Sequence, residues 1–157
     1  MINWLNEKTK KYPYKMAIFG ALVPYWVWHV FFVEVTFPNY KVYDAAPLGY
    51  DLYTISMIFF LRVLLAPLVE ELIWRKFLWW LTSSIFRFKG GGVITLFVIT
   101  LGFAYTHDSP HIIFPIGLFF GYLRLKTGSI KPSIVAHMLW NLSVWIRWTP
   151  WSNCGFC

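Results

Sequence analysis

The chain has 157 residues, room for one domain, with 58% hydrophobic, 22% aromatic and only 13% charged residues. Soluble proteins carry roughly 25% charged residues, so a soluble globular domain is excluded. The net charge of +7, from 14 Lys and Arg against 7 Asp and Glu, does not point to nucleic acid: the basic residues flank apolar runs and form no basic and aromatic groove, a placement that suits phospholipid headgroups.

Mean hydropathy is +0.54, and several runs approach the ~20 residues that cross a bilayer as a helix. In chain order, 1–15 is polar and interfacial. A first span covers about 16–36, with Pro24 expected to kink it and Pro38 to close it. It reads as a retained span, since no small-residue cleavage site follows it and it contains Trp26, Trp28 and His29. A loop over 37–50 leads to a long apolar stretch, 51–86. As one helix it would measure roughly 54 Å, against a hydrocarbon core of ~30 Å. It is therefore either two elements or one long tilted helix, with Pro67 as the expected break.

"RFKGGG" (87–92) is a turn, and spans follow at about 93–107, 111–125 and 133–148. "HDSP" and "KTGSIKP" separate them, and Gly117 and Gly121 give the G-x-x-x-G spacing that lets helices approach closely in lipid. The tail 149–157 ends in "CGFC". One C-x-x-C is too little for a structural zinc site, and Cys154 and Cys157 read as incidental thiols, with a disulfide or a lipidated thiol as the alternatives. The expected fold is all-α: a single integral-membrane domain over 1–157, with five or six transmembrane helices around a polar intramembrane site. The lysine-rich start places the N-terminus in the cytoplasm. The basic loops at 87–89 and 124–131 share that face only if 51–86 crosses once.

The ionisable and amide groups inside apolar runs are His29, Glu34, Arg62, Glu70, Glu71, Arg75, Lys76, His107, His137, Asn141 and the terminal Arg147. A mid-membrane charge costs roughly 2.5–3.5 kcal/mol on insertion scales, so each must be paired or reached by water. Glu71 and Arg75 are four apart, share a helix face and predict an ion pair. Glu70 lies about 100° around the helix and lacks that partner. Phe103 and His107, and His137 and Asn141, repeat the four-residue spacing on two further helices. A carboxylate and an imidazole around one water make a general base, and a second imidazole with an amide N–H can hold an oxyanion. Glu70, His107 and His137 would equally form a His₂Glu metal set with an open position. No H-E-x-x-H appears, and Pro110 interrupts the helix that His107 and His111 would need.

"EELIWR" (Glu70, Glu71, Arg75), "FAYTH" (Phe103, His107) and "HMLWN" (His137, Asn141) resemble the three motifs of the CAAX protease and bacteriocin-processing family, the glutamate intramembrane endopeptidases. The resemblance covers about 55–145. It implies that Glu70 with His107 activates water, that His137 and Asn141 form the oxyanion site, and that Glu71, Arg75 and Phe103 support the site's shape, with no metal or other cofactor. Trp74 stands where the family usually has Phe, and Lys76 where it often has Gly. The implied substrate is a peptide or protein tail held at the lipid bilayer, and the implied location a prokaryotic inner membrane, the chain being a short multi-pass member. Two alternatives stand beside this reading: a metal-dependent membrane hydrolase using the same residues, and a non-enzymatic scaffold, immunity or transport protein.

Overall fold

A computed structural model describes residues 2–28 and 51–148. His29, Glu34, Pro38, the loop at 37–50 and the tail with Cys154 and Cys157 lie outside the described residues. Those described form six helices and no strand: α1 (Ile2–Lys11), α2 (Pro13–Trp28), α3 (Leu52–Ile85), α4 (Gly91–Tyr105), α5 (Pro110–Thr127) and α6 (Lys131–Trp148). The polar start is helical, and α1 docks on α5: the buried Thr9 hydroxyl lies 3.4 Å from Tyr122, whose hydroxyl donates to Asn6. Pro24 does not end α2, which runs on to Trp28.

Glycine and proline set the turns where they were expected. Gly90 has φ +95° ahead of α4, and Gly128 has φ +69° after α5, its N–H donating to the Arg124 carbonyl. Only glycine takes such angles without strain. Pro110 opens α5 at a position where its missing N–H costs nothing.

The stretch 51–86 is a single helix, and Pro67 does not break it. Asp51 caps it: its carboxylate accepts the Thr54 N–H at 2.8 Å, which holds its pKa below the ordinary carboxylate value. Two π-helical stretches, Phe60–Leu65 and Leu72–Leu78, lie within it. The first immediately precedes Pro67. A proline ring collides with the carbonyl four residues back in a regular α-helix, and a wider turn relieves that collision without ending the helix. The same widening has a second effect. The buried residues of α3 recur every four positions: Val63, Pro67, Glu71, Arg75 and Trp79. At 100° per residue, Val63 and Trp79 would stand about 160° apart. The π turns hold all five on one seam facing the bundle.

The opposite face of α3 is apolar and exposed, with Leu61, Leu65, Leu68, Leu72 and Phe77 among its residues. That surface suits hydrocarbon rather than water. Among the described residues, α3, with 34 residues and an 18-residue stretch of mean hydropathy 2.0, is the one helix long and apolar enough to cross a membrane; Pro13–Val23 and Gly91–Tyr105 are shorter apolar helices. Inside the bundle, α4 packs along α5, α2 along α6, and α6 against both α5 and α3. Ala17, Ala21 and Ala136 join Phe120 and Leu123 in one core, where small residues let α2 and α6 approach. Gly117 and Gly121 turn the G-x-x-x-G face of α5 onto α4: a Cβ on Gly117 would lie 3.0 Å from Phe103, and one on Gly121 would overlap Leu96.

Candidate active site

The adjacent glutamates of α3 go to different environments. Glu71 is fully buried on the seam, and one turn later so is Arg75. Their side chains meet at 3.1 Å. Arg75 also donates to the Gly117 carbonyl at 3.3 Å, an approach that the missing side chain of Gly117 permits, and its guanidinium lies 4.0 Å from the centre of the Phe103 ring. A buried pair is costly unless further partners satisfy its remaining groups; here the Gly117 carbonyl takes Arg75 Nη2 and the Phe103 face covers the guanidinium, while Glu71 Oε2 and Arg75 Nε have no hydrogen-bond partner among the described residues. Glu71 has one more neighbour, His137 Nδ1, at 3.1 Å from the same oxygen that meets Arg75.

Glu70 is turned off the seam and is 31% exposed. Its Oε2 is buried and has no hydrogen-bond partner in the protein. Two imidazoles face that oxygen: His107 Nε2 at 3.8 Å and His137 Nε2 at 3.7 Å. Both separations exceed a direct hydrogen bond and fit a bridging water. The far nitrogens define the tautomers. His107 Nδ1 lies 2.8 Å from the Phe103 carbonyl, which can only accept, so that nitrogen carries the proton. His137 Nδ1 faces a Glu71 oxygen that already meets Arg75, so it donates as well. In their neutral forms both rings therefore present a bare Nε2 to Glu70. His107 is 29% exposed and His137 only 5%, so the Glu70–His107 side of the cluster is the one open to the surroundings.

The structure thus brings Glu70, Glu71, Arg75, Phe103, His107 and His137 together. Phe103 contacts both histidines, with ring centroids 4.6 Å from His107 and 5.8 Å from His137. Asn141 does not join by its amide nitrogen, which donates to the Arg62 carbonyl of α3 at 2.9 Å. His111 stands exposed in the first turn of α5, and Arg62 is exposed on α3. Among the described residues, no group of three or more His, Cys, Asp or Glu is arranged to hold a metal ion.

Three participants were not singled out from the sequence. Phe120 stacks on His137 at 4.8 Å, Ser133 donates to the Phe120 carbonyl at 2.7 Å, and Arg124 donates its Nε–H to the Arg75 carbonyl at 3.2 Å. Their only signal in the sequence was position, since Phe120 adjoins Gly121 and Ser133 precedes His137 by four.

Neither the curated proteins nor the solved structures give a match to this chain. One family model does, over residues 52–143, from the start of α3 into α6: type II CAAX prenyl endopeptidase Rce1-like. The match covers more than half of the chain and contains every member of the cluster around Glu70. The chain belongs to the Rce1-like family of CAAX-type intramembrane proteases.

Proposed function

We propose that the protein hydrolyses a peptide bond of a membrane-associated peptide or protein with a water activated by Glu70 and His107, as a glutamate-type protease without a metal. The observation that carries this reading is the buried, unpartnered Glu70 Oε2 between two Nε2 atoms at 3.7 and 3.8 Å. A water there donates one O–H to Glu70 and the other to the bare Nε2 of His107. Glu70 takes the proton as the oxygen attacks the scissile carbonyl carbon. The developing oxyanion is held by His137 and Asn141, the pair that the family resemblance implies. Glu70 returns its proton to the leaving amine as the C–N bond breaks. Arg75, Phe103 and the Gly117 carbonyl hold Glu71 and the rings in place.

The same reading makes the whole chain one multi-pass domain of a prokaryotic cell membrane, with catalytic core 55–145 and a cytoplasmic N-terminus. Substrate reaches Glu70 sideways, from the lipid.

The test compares membrane peptides, by mass spectrometry, from cells carrying the wild type and Glu70→Gln. Fragments present only with the wild type are expected. Identical peptide profiles, with both proteins inserted at equal levels, would sink the mechanism. In purified protein, chelator treatment is expected to leave turnover unchanged, and its loss would return the metal-hydrolase reading.

A further inference from the structure

We infer that the cavity between α1 and the α5–α6 turn binds the phosphate headgroup of an anionic lipid, held by Lys10 and Lys126. The cavity measures about 330 Å³ and is lined by both lysines, with Tyr14, Ser129, Pro13 and Pro132 among its walls. A water in the liquid occupies ~30 Å³, so a phosphodiester with its glycerol has room. The two lysines come from opposite ends of the chain, and Tyr122 brings them together. Its hydroxyl meets Asn6 and Thr9 of α1, and Lys126 Nζ lies 5.8 Å from its ring centroid. Thus α1 docks on the ring that carries Lys126, and Lys10 adjoins the docked Thr9. No acidic residue lines the cavity, and Glu7, the one acid of α1, is exposed outside it. Two ammonium groups that converge without a carboxylate raise the local concentration of anions.

The walls are held in place by the protein itself. The Thr127 hydroxyl donates to the Leu123 carbonyl at 2.7 Å and accepts the Ser129 N–H at 3.2 Å, which closes the turn around Gly128. Ser129 Oγ accepts the Lys131 N–H at 3.3 Å, which leaves its own hydroxyl proton for a ligand. A phosphate oxyanion can take that proton and both ammonium groups in charge-assisted hydrogen bonds. The bilayer offers such an anion at this depth, and basic pockets between membrane helices suit anionic headgroups. The same end carries Lys8, Lys11 and Lys15, whose Nζ atoms lie 5.6, 5.4 and 5.3 Å from the Tyr12 ring centroid. Ile18, one turn along α2 from Tyr14 and on the same face, is exposed. It offers an acyl chain a contact that a free phosphate could not use. None of these residues belongs to the cluster around Glu70, so the inference stands apart from the hydrolytic reading.

Binding of radiolabelled dioleoyl phosphatidylglycerol to the purified chain in dodecyl maltoside tests this. Saturable binding is expected that excess phosphatidylcholine does not displace, with a thermal midpoint that rises as the anionic lipid is added. Lys10→Gln and Lys126→Gln should each weaken binding roughly 10–100-fold, the worth of a hydrogen bond to a charged group. Lys11→Gln and Lys15→Gln remove the same charge outside the cavity and should cost less than about fivefold, the share of a lysine near a charged surface. Equal losses in all four variants would mean diffuse attraction and overturn the inference, as would equal competition by phosphatidylcholine. Inorganic phosphate or glycerol 3-phosphate that displaces the lipid at equal concentration would overturn the lipid as the occupant. Thermal midpoints without added lipid report folding and are expected to match the wild type. Lys10 is exposed, so its variant decides the matter if Lys126→Gln fails to fold.

Discussion

Glu70 and Glu71 are neighbours in the chain and opposites in circumstance. Glu71 is sealed between Arg75 and His137, and removing one partner leaves a buried charge uncompensated, at a cost of about 3–5 kcal/mol. Arg75→Ala is therefore expected to lose most folded protein, read as recovery from detergent extraction and as a lowered thermal midpoint. Glu70→Gln keeps the shape of a half-exposed side chain and is expected to shift stability by less than about 1 kcal/mol. Equal damage from the two would erase the division between support and chemistry. Phe103→Leu removes the aromatic face from the guanidinium, a contact worth up to about 2 kcal/mol when desolvated, and should fall between them in thermal midpoint. The Glu71–Arg75 pair was legible in the sequence because both residues lie on one helix and spacing alone brings them together. The bond from His137 to Glu71 was not, because it joins helices 66 positions apart. Motif order could tell that the histidines belong with the glutamates, but not which glutamate each would meet.

At the scale of the element, α3 shows where a periodic reading fails. A rule of 3.6 residues per turn and a proline at position 67 together suggest a broken helix. Two widened turns instead absorb the proline and straighten the seam from Val63 to Trp79. Nothing local in "FLRVLL" or "LIWRKFL" announces a π turn, since the alternative depends on partners from other helices, Asn141 and Arg124. The contrast with α5 is instructive. Gly117 and Gly121 announced a close approach, and both lie against α4. Gly121→Leu is expected to overpack that contact and destabilise by about 1–3 kcal/mol, seen as a lower thermal midpoint and weaker cleavage. A variant as stable as the parent would mean that α4 and α5 can part without cost.

For the whole molecule, fold class and family were legible because composition and motif order are properties of the chain alone. The packing order of the helices was not. That order gathers the basic clusters. Lys10 and Lys126 line one cavity of about 330 Å³, and a Cβ on Gly92, beside the Arg87 and Lys89 loop, would lie 3.0 Å from Leu125. The three clusters therefore share one end of the bundle, as the proposed cytoplasmic face requires. In a Cys154→Ser, Cys157→Ser background, cysteines placed at Lys10, Lys89 and Lys126 should all react with an impermeant thiol reagent in inverted vesicles and not in intact cells; a split result would defeat the topology. The 34-residue α3 is roughly 51 Å long and outreaches a hydrocarbon core of ~30 Å. Such an excess is relieved by tilt, and the tilt varies with bilayer thickness. The depth of Glu70 then varies with the acyl-chain length of the surrounding lipid. The membrane's own thickness becomes a determinant of which bond, at which depth, this protein can reach.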